Sequence, residues 1–123
     1  MPVSNRRLAL LAAGLLVVAG CMASDGGPCA ATSVTLEATV TDAAMDPSAL
    51  SVCRDQEVTL TLHSETDGEF HLHGYDEQVP ETSLTPDQTV TLEFTAAVAG
   101  QFIMELHAGG DEVEIGVLTV NEP

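Results

Sequence analysis

Residues 57–64 read Glu57-Val-Thr-Leu-Thr-Leu-His-Ser64, with apolar Val58, Leu60 and Leu62 strictly alternating with polar neighbours. Successive side chains of an extended chain point to opposite faces, so this period of two marks a strand with one buried face and one wet face. The same pattern extends in both directions. Upstream, residues 32–41 place Val34, Leu36, Ala38 and Val40 on one face, and residues 49–54 make a shorter strand entered through an Asp46-Pro47 turn. Downstream, residues 69–73, 88–95, 101–107 and 113–120 repeat the alternation between Gly-, Pro- and Asp-bearing turns. Nothing beyond residue 21 holds a capped helical period; 95–100 comes nearest and is too short. About seven to eight short strands joined by turns predict an all-β fold, an antiparallel Greek-key β-sandwich.

Charge narrows the function. The 123 residues carry 19 Asp+Glu against 3 Lys+Arg, a formal charge of -16, and no Lys at all. Both residues of the Arg6-Arg7 pair lie before residue 21 and every acid lies after it, so the rest of the chain sets Arg54 alone against 19 carboxylates. Nucleic acid is excluded as a partner, because phosphate binding needs a basic face that releases counterions. Charge-driven binding to anionic headgroups is excluded on the same ground.

Arg6-Arg7 is followed by an uninterrupted apolar and small-residue run, 8–20, that ends at Cys21. A basic start, a short apolar run and a small-residue exit are the marks of a secretory signal. Val18-Ala19-Gly20-Cys21 resembles the bacterial lipobox, which implies removal of residues 1–20 and acylation of Cys21. The expected location is therefore the extracytoplasmic side of a cell membrane, with the lipid on Cys21 as the membrane contact. Residues 21–31 read as the lipidated cysteine and its polar tether, and 32–123 as the domain. In an oxidising compartment the remaining Cys29 and Cys53 are expected to form a disulfide.

Chemistry concentrates in histidine. Phe70-His71-Leu72-His73-Gly74-Tyr75 puts His71 and His73 two apart, on the same strand face and opposite Phe70 and Leu72. A second motif, Met104-Glu105-Leu106-His107-Ala108-Gly109, ends another strand in His107, whose parity places Met104 in the core. Neutral imidazoles so disposed can share a metal ion such as copper or zinc. If the strand ends meet at one pole of the sandwich, His71, His73 and His107 make a three-histidine site, with Glu69 or Asp111 as neighbouring acids. The competing reading is a solvent-facing histidine pair that offsets an acidic surface. His63, at the outward end of its strand, reads as a surface residue. Ser–His–Asp order around a nucleophile elbow, a Gly-rich phosphate loop and a D-x-D-x-D-G calcium loop are all missing from the sequence, so an enzyme is not expected.

Four stretches carry a family resemblance: Met45-Asp-Pro-Ser-Ala-Leu-Ser-Val-Cys-Arg-Asp-Gln-Glu-Val-Thr-Leu60, Glu69-Phe-His-Leu-His-Gly-Tyr-Asp76, Gly100-Gln-Phe-Ile-Met-Glu-Leu-His107 and Gly116-Val-Leu-Thr-Val120. Together they resemble the cupredoxins, in particular the cupredoxin-like domains of small bacterial lipoproteins and iron-uptake systems, over about residues 32–121. The resemblance implies a copper-related site, and a partner in metal uptake or redox. It also shows a departure. A blue-copper centre uses two His, a Cys thiolate and a weak axial Met, whereas here about Leu106 stands at the cysteine's place and no Met follows His107. No type 1 blue-copper centre is expected. The expectation is a non-blue site for copper or a similar metal; the alternatives are a metal-free interaction or structural module and, least favoured, an electron carrier.

Overall fold

The structure, a computed structural model, describes residues 27–123. The expected signal segment 1–20, the lipobox and Cys21 lie outside the described residues. No helix among the described residues is long and apolar enough to cross a membrane.

After a 3-10 turn at Gly27–Cys29 come nine strands: β1 (Ser33–Val40), β2 (Met45–Asp46), β3 (Ala49–Cys53), β4 (Glu57–Ser64), β5 (Gly68–Leu72), β6 (Thr82–Leu84), β7 (Thr89–Thr95), β8 (Gly100–Ala108) and β9 (Asp111–Asn121). They form two sheets, ordered β2-β1-β4-β7 and β3-β9-β8-β5-β6. The all-β sandwich and the seven alternating strands are as expected. The additional strands, β2 and β6, span two and three residues, too few to show a period.

Pairing is antiparallel except at β1/β4 and β3/β9, which run parallel. Parallel neighbours need a crossover, and β3 supplies it: the chain leaves the first sheet after β2, lays β3 beside β9 in the second, and returns as β4. A single buried core fills the space between the sheets. Val40, Val58, Leu60 and Leu62 come from the four-stranded sheet, and Phe70, Leu72, Met104, Leu106 and Leu118 from the five-stranded one. Burying each such side chain contributes about 1.5–3 kcal/mol.

One irregularity matters for the surface. Met104 pairs with Gly116 but Glu105 pairs with Glu114, so β9 holds one extra residue, Ile115, in a bulge. Inward positions are Val113 before it, Ile115 in it, and Leu118 and Val120 after it. The bulge thus switches the strand's parity and turns Glu112 and Glu114 outward, beside His107 and Glu105. Gly116 permits the fit: a Cβ there would stand 2.7 Å from Met45 Cε and 2.7 Å from the Ser48 carbonyl oxygen.

Residues 27–31, expected as the end of a tether, are docked onto the domain. Cys29 and Cys53 form a disulfide, with 5.4 Å between their Cα atoms. Gln56, buried, fixes the same corner. Its Nε2 donates to the Pro28 and Ala31 carbonyls at 3.1 and 2.9 Å, and its Oε1 accepts from the Cys53 amide at 2.7 Å. A buried amide needs its partners, and this one finds them three residues back at Cys53 and in the distant segment of Pro28 and Ala31.

Candidate metal centre

The histidine cluster is built on the outer face of the five-stranded sheet. In the β5/β8 ladder His71 lies opposite Glu105 and Glu69 opposite His107, and the His73 amide continues the ladder by donating to the Ile103 carbonyl at 3.0 Å. Phe70, Leu72, Met104 and Leu106 point into the core from the same strands. Parity therefore forces His71, His73, Glu105 and His107 onto one outer face. The chain then turns at Gly74, where φ is +85° and a Cβ would meet the Phe102 ring at 2.7 Å.

The three rings gather closely. His71 and His73 have ring centroids 4.3 Å apart, and His71 and His107 5.5 Å. Carboxylates fill the gaps. Glu105 Oε2 lies 2.8 Å from His73 Nε2 and 3.1 Å from His107 Nε2. Glu81 Oε1 lies 3.2 Å from His107 Nδ1 and 3.8 Å from His71 Nδ1, and Glu112 Oε1 is 3.9 Å from His107 Nε2. Three sets, His71/His73/Glu105, His71/Glu81/His107 and Glu105/His107/Glu112, each bring three ligand atoms within 4.8 Å of one another.

The sequence-expected histidines are thus neighbours, though the carboxylates divide them into overlapping sets and they sit on a sheet face. The acids differ from expectation: Glu69 and Asp111 belong to none of these sets, while Glu81, Glu105 and Glu112 do. Glu105 was legible, since Glu105-x-His107 repeats the spacing of His71-x-His73. Glu81 is brought in from the long connection before β6, and Glu112 is aimed by the bulge. His63 stands apart at the surface, its Nδ1 3.1 Å from Thr89 Oγ1, and Met104 is fully buried.

The electrostatics follow from these contacts. His71 Nε2 donates to Asp76 Oδ1, which holds the Asp76 carboxyl below its usual range. The imidazoles of His73 and then His107 hold Glu105 below its range, and the hydrogen bond to Glu105 raises His107 above its own. Two nitrogens are left over: His71 Nδ1 and His73 Nε2 are shut off from solvent without a hydrogen-bond partner. For His73 Nε2, Glu105 Oε2 stands 2.8 Å away, close enough for an ion pair. Buried polar atoms are seldom left unmatched. With Nε2 bonded to Asp76, His71 presents the Nδ1 lone pair to the cluster, the arrangement of a metal-bound histidine steadied by an outer carboxylate. This donor set fits a divalent ion that accepts nitrogen and oxygen, Cu(II) or Zn(II) above all.

The two sheets and their strand order make an all-β, cupredoxin-like sandwich. No protein-family model and no curated protein matches the chain. Solved structures do. The blue copper oxidase of Nitrosomonas europaea superposes with a TM-score of 0.59 at 17% identity, over 73% of this chain and 39% of the oxidase. Auracyanin A, a "blue" copper protein of Chloroflexus aurantiacus, gives 0.56 at 20%, over 72% of this chain and 99% of that one. The metal-binding domain of the Cu(I)-exporting P-type ATPase CopA of Streptococcus pneumoniae D39 gives 0.55 at 15%, over 72% and 86%. The chain therefore spans well under half of the oxidase and nearly the whole of auracyanin A. At these identities the likeness establishes the fold.

Proposed function

We propose that this protein is an extracytoplasmic, lipid-anchored cupredoxin-like module that binds copper or a similar divalent metal, for storage, delivery or sensing, at a non-blue site formed by His71, His73 and His107. The observation that carries it is the pair of solvent-shielded nitrogens without a hydrogen bond, His71 Nδ1 and His73 Nε2, gathered with Glu81, Glu105 and His107, while the one arginine among the described residues, Arg54, pairs with Asp55 and Glu122. Copper-protein neighbours of the same fold support the choice of metal. A bound ion supplies positive charge in an acidic cluster. The chain's own residues do the rest: Asp76 orients His71, Glu105 lies between His73 and His107, and the strand ladder holds the rings in place.

The site is non-blue because the cysteines are spent. Cys29 and Cys53 are joined, and Leu106 points into the core. Without a thiolate, the intense charge-transfer band and rapid electron exchange of a blue site are not expected. Binding rather than catalysis is the reading, since nothing in the cluster pairs a nucleophile with a base.

Titration with Cu(II) by calorimetry tests the metal. Binding that weakens at least tenfold in a His71→Ala, His73→Ala double variant supports the reading, and equal binding by both proteins refutes it. The metal-free module predicts that second result. Anchoring is tested separately: the protein fractionates with membranes and takes up labelled palmitate, and Cys21→Ser releases it. A membrane-bound, unlabelled Cys21→Ser protein overturns the lipid anchor.

A further inference from the structure

The donor atoms do not converge on one point. His73 and His107 share no set of ligand atoms within 4.8 Å; they lie on either side of Glu105, whose Oε2 faces both at 2.8 and 3.1 Å. His71/His73/Glu105 and Glu105/His107/Glu112 are complete triads that have only Glu105 in common. A carboxylate has two oxygens and four lone-pair sites, enough to serve two ions at once. The two triads also differ. The first has two imidazoles, one of them steadied by Asp76. The second has one imidazole and two carboxylates, and it is wetter, with the Glu112 side chain 69% exposed.

Resting on the metal-binding reading above, we propose that this face holds two divalent cations side by side, bridged by the Glu105 carboxylate. The first site, at His71 and His73, is richer in nitrogen and fills first. The second, at His107 and Glu112, is richer in oxygen and fills later. Glu81, within 3.8 Å of His71 and 3.2 Å of His107, spans the two from the other side. Two positive ions so close repel each other, and the acids around them, with no Lys or Arg in the cluster, offset that repulsion. A protein with two inequivalent, adjacent sites can take up one ion tightly and exchange a second.

The test is Cu(II) titration of the protein followed by calorimetry and electron paramagnetic resonance, with Zn(II) as a second probe. The expected result is two equivalents of unequal affinity. The Cu(II) resonance should grow with the first equivalent, and broaden or lose intensity through coupling as the second binds. Glu112→Gln, at an exposed position where folding is not at risk, should weaken the second equivalent at least tenfold and leave the first unchanged. Glu105→Gln should abolish the coupling. One equivalent only, or two uncoupled equivalents unmoved by Glu112→Gln, overturns the bridged pair while leaving the single site standing. No binding beyond that of the His71→Ala, His73→Ala variant removes both.

Discussion

His71 donates an Nε2–H hydrogen bond to Asp76 Oδ1, and its Nδ1 lies on the side where Glu81 stands 3.8 Å away. One carboxylate thus fixes which nitrogen of the ring faces the cluster. Asp76→Asn keeps the shape of the side chain and removes its charge, so the ring loses its ionic acceptor. Cu(II) affinity is expected to fall about 10- to 100-fold, as for other outer partners of metal-bound histidines. Thermal stability should change little, because Asp76 is exposed. Calorimetric titration and a melting curve on the same sample check both halves.

The contacts of Glu105 with His73 and then with His107 make the metal-free protein's stability depend on pH. Glu105 sits below its ordinary 4.5, so its contribution is present above that value and is lost as pH falls through the lowered one. His107 sits above its ordinary 6.5, so its contribution is complete below that value and is lost as pH rises through the raised one. Both terms are intact between 4.5 and 6.5. The difference in melting temperature between the protein and Glu105→Gln should be greatest there and shrink on either side. A difference that is flat from pH 3 to 9 contradicts the pairing.

Gln56 is the polar pin of the amino-terminal corner. Gln56→Ala strands the Cys53 amide and the Pro28 and Ala31 carbonyls, of which the buried amide is the costliest to leave unpaired. The expected loss is about 2–3 kcal/mol, from the desolvation of unsatisfied groups. Urea unfolding measures it.

At the bulge, Gly116→Ala has no room, since both close atoms lie within 2.7 Å and one of them is backbone. Overpacking of this kind costs about 1–3 kcal/mol. Because the bulge aims Glu112, the same substitution should also weaken the second Cu(II) equivalent relative to the first. Unfolding and titration of one preparation separate the two effects.

Most of the fold was legible because burial on one face writes a period of two into the sequence. β4, β5 and β8 could be read residue by residue, and with them the faces of His71, His73 and Met104. Pairing was not legible: parity is the same whether β4 lies parallel or antiparallel to β1, so the β3 crossover left no mark. The site divided along the same line. Residues on the ladder, His71, His73 and His107, were found, and Glu105 could have been. Glu81 and Asp76 come from connections whose path no period records. Glu112 needed the parity switch at Ile115, which in sequence is only a continuous apolar run.

The disulfide that ties Cys29 to Cys53 also fixes which end of the domain the amino-terminal segment meets. Cys53 lies beside Asn121 at the last residue of β9, whereas Glu112 and its partner His107 lie at the strand's beginning. Nine residues of extended chain separate these ends, about 30 Å at the usual rise per residue. The polypeptide therefore enters the domain at the base of a column whose far end carries His107, with His71 and His73 part-way along it. If the chain is anchored through Cys21 as proposed, the anchor lies on the side of the Cys29–Cys53 corner and His107 at the opposite end.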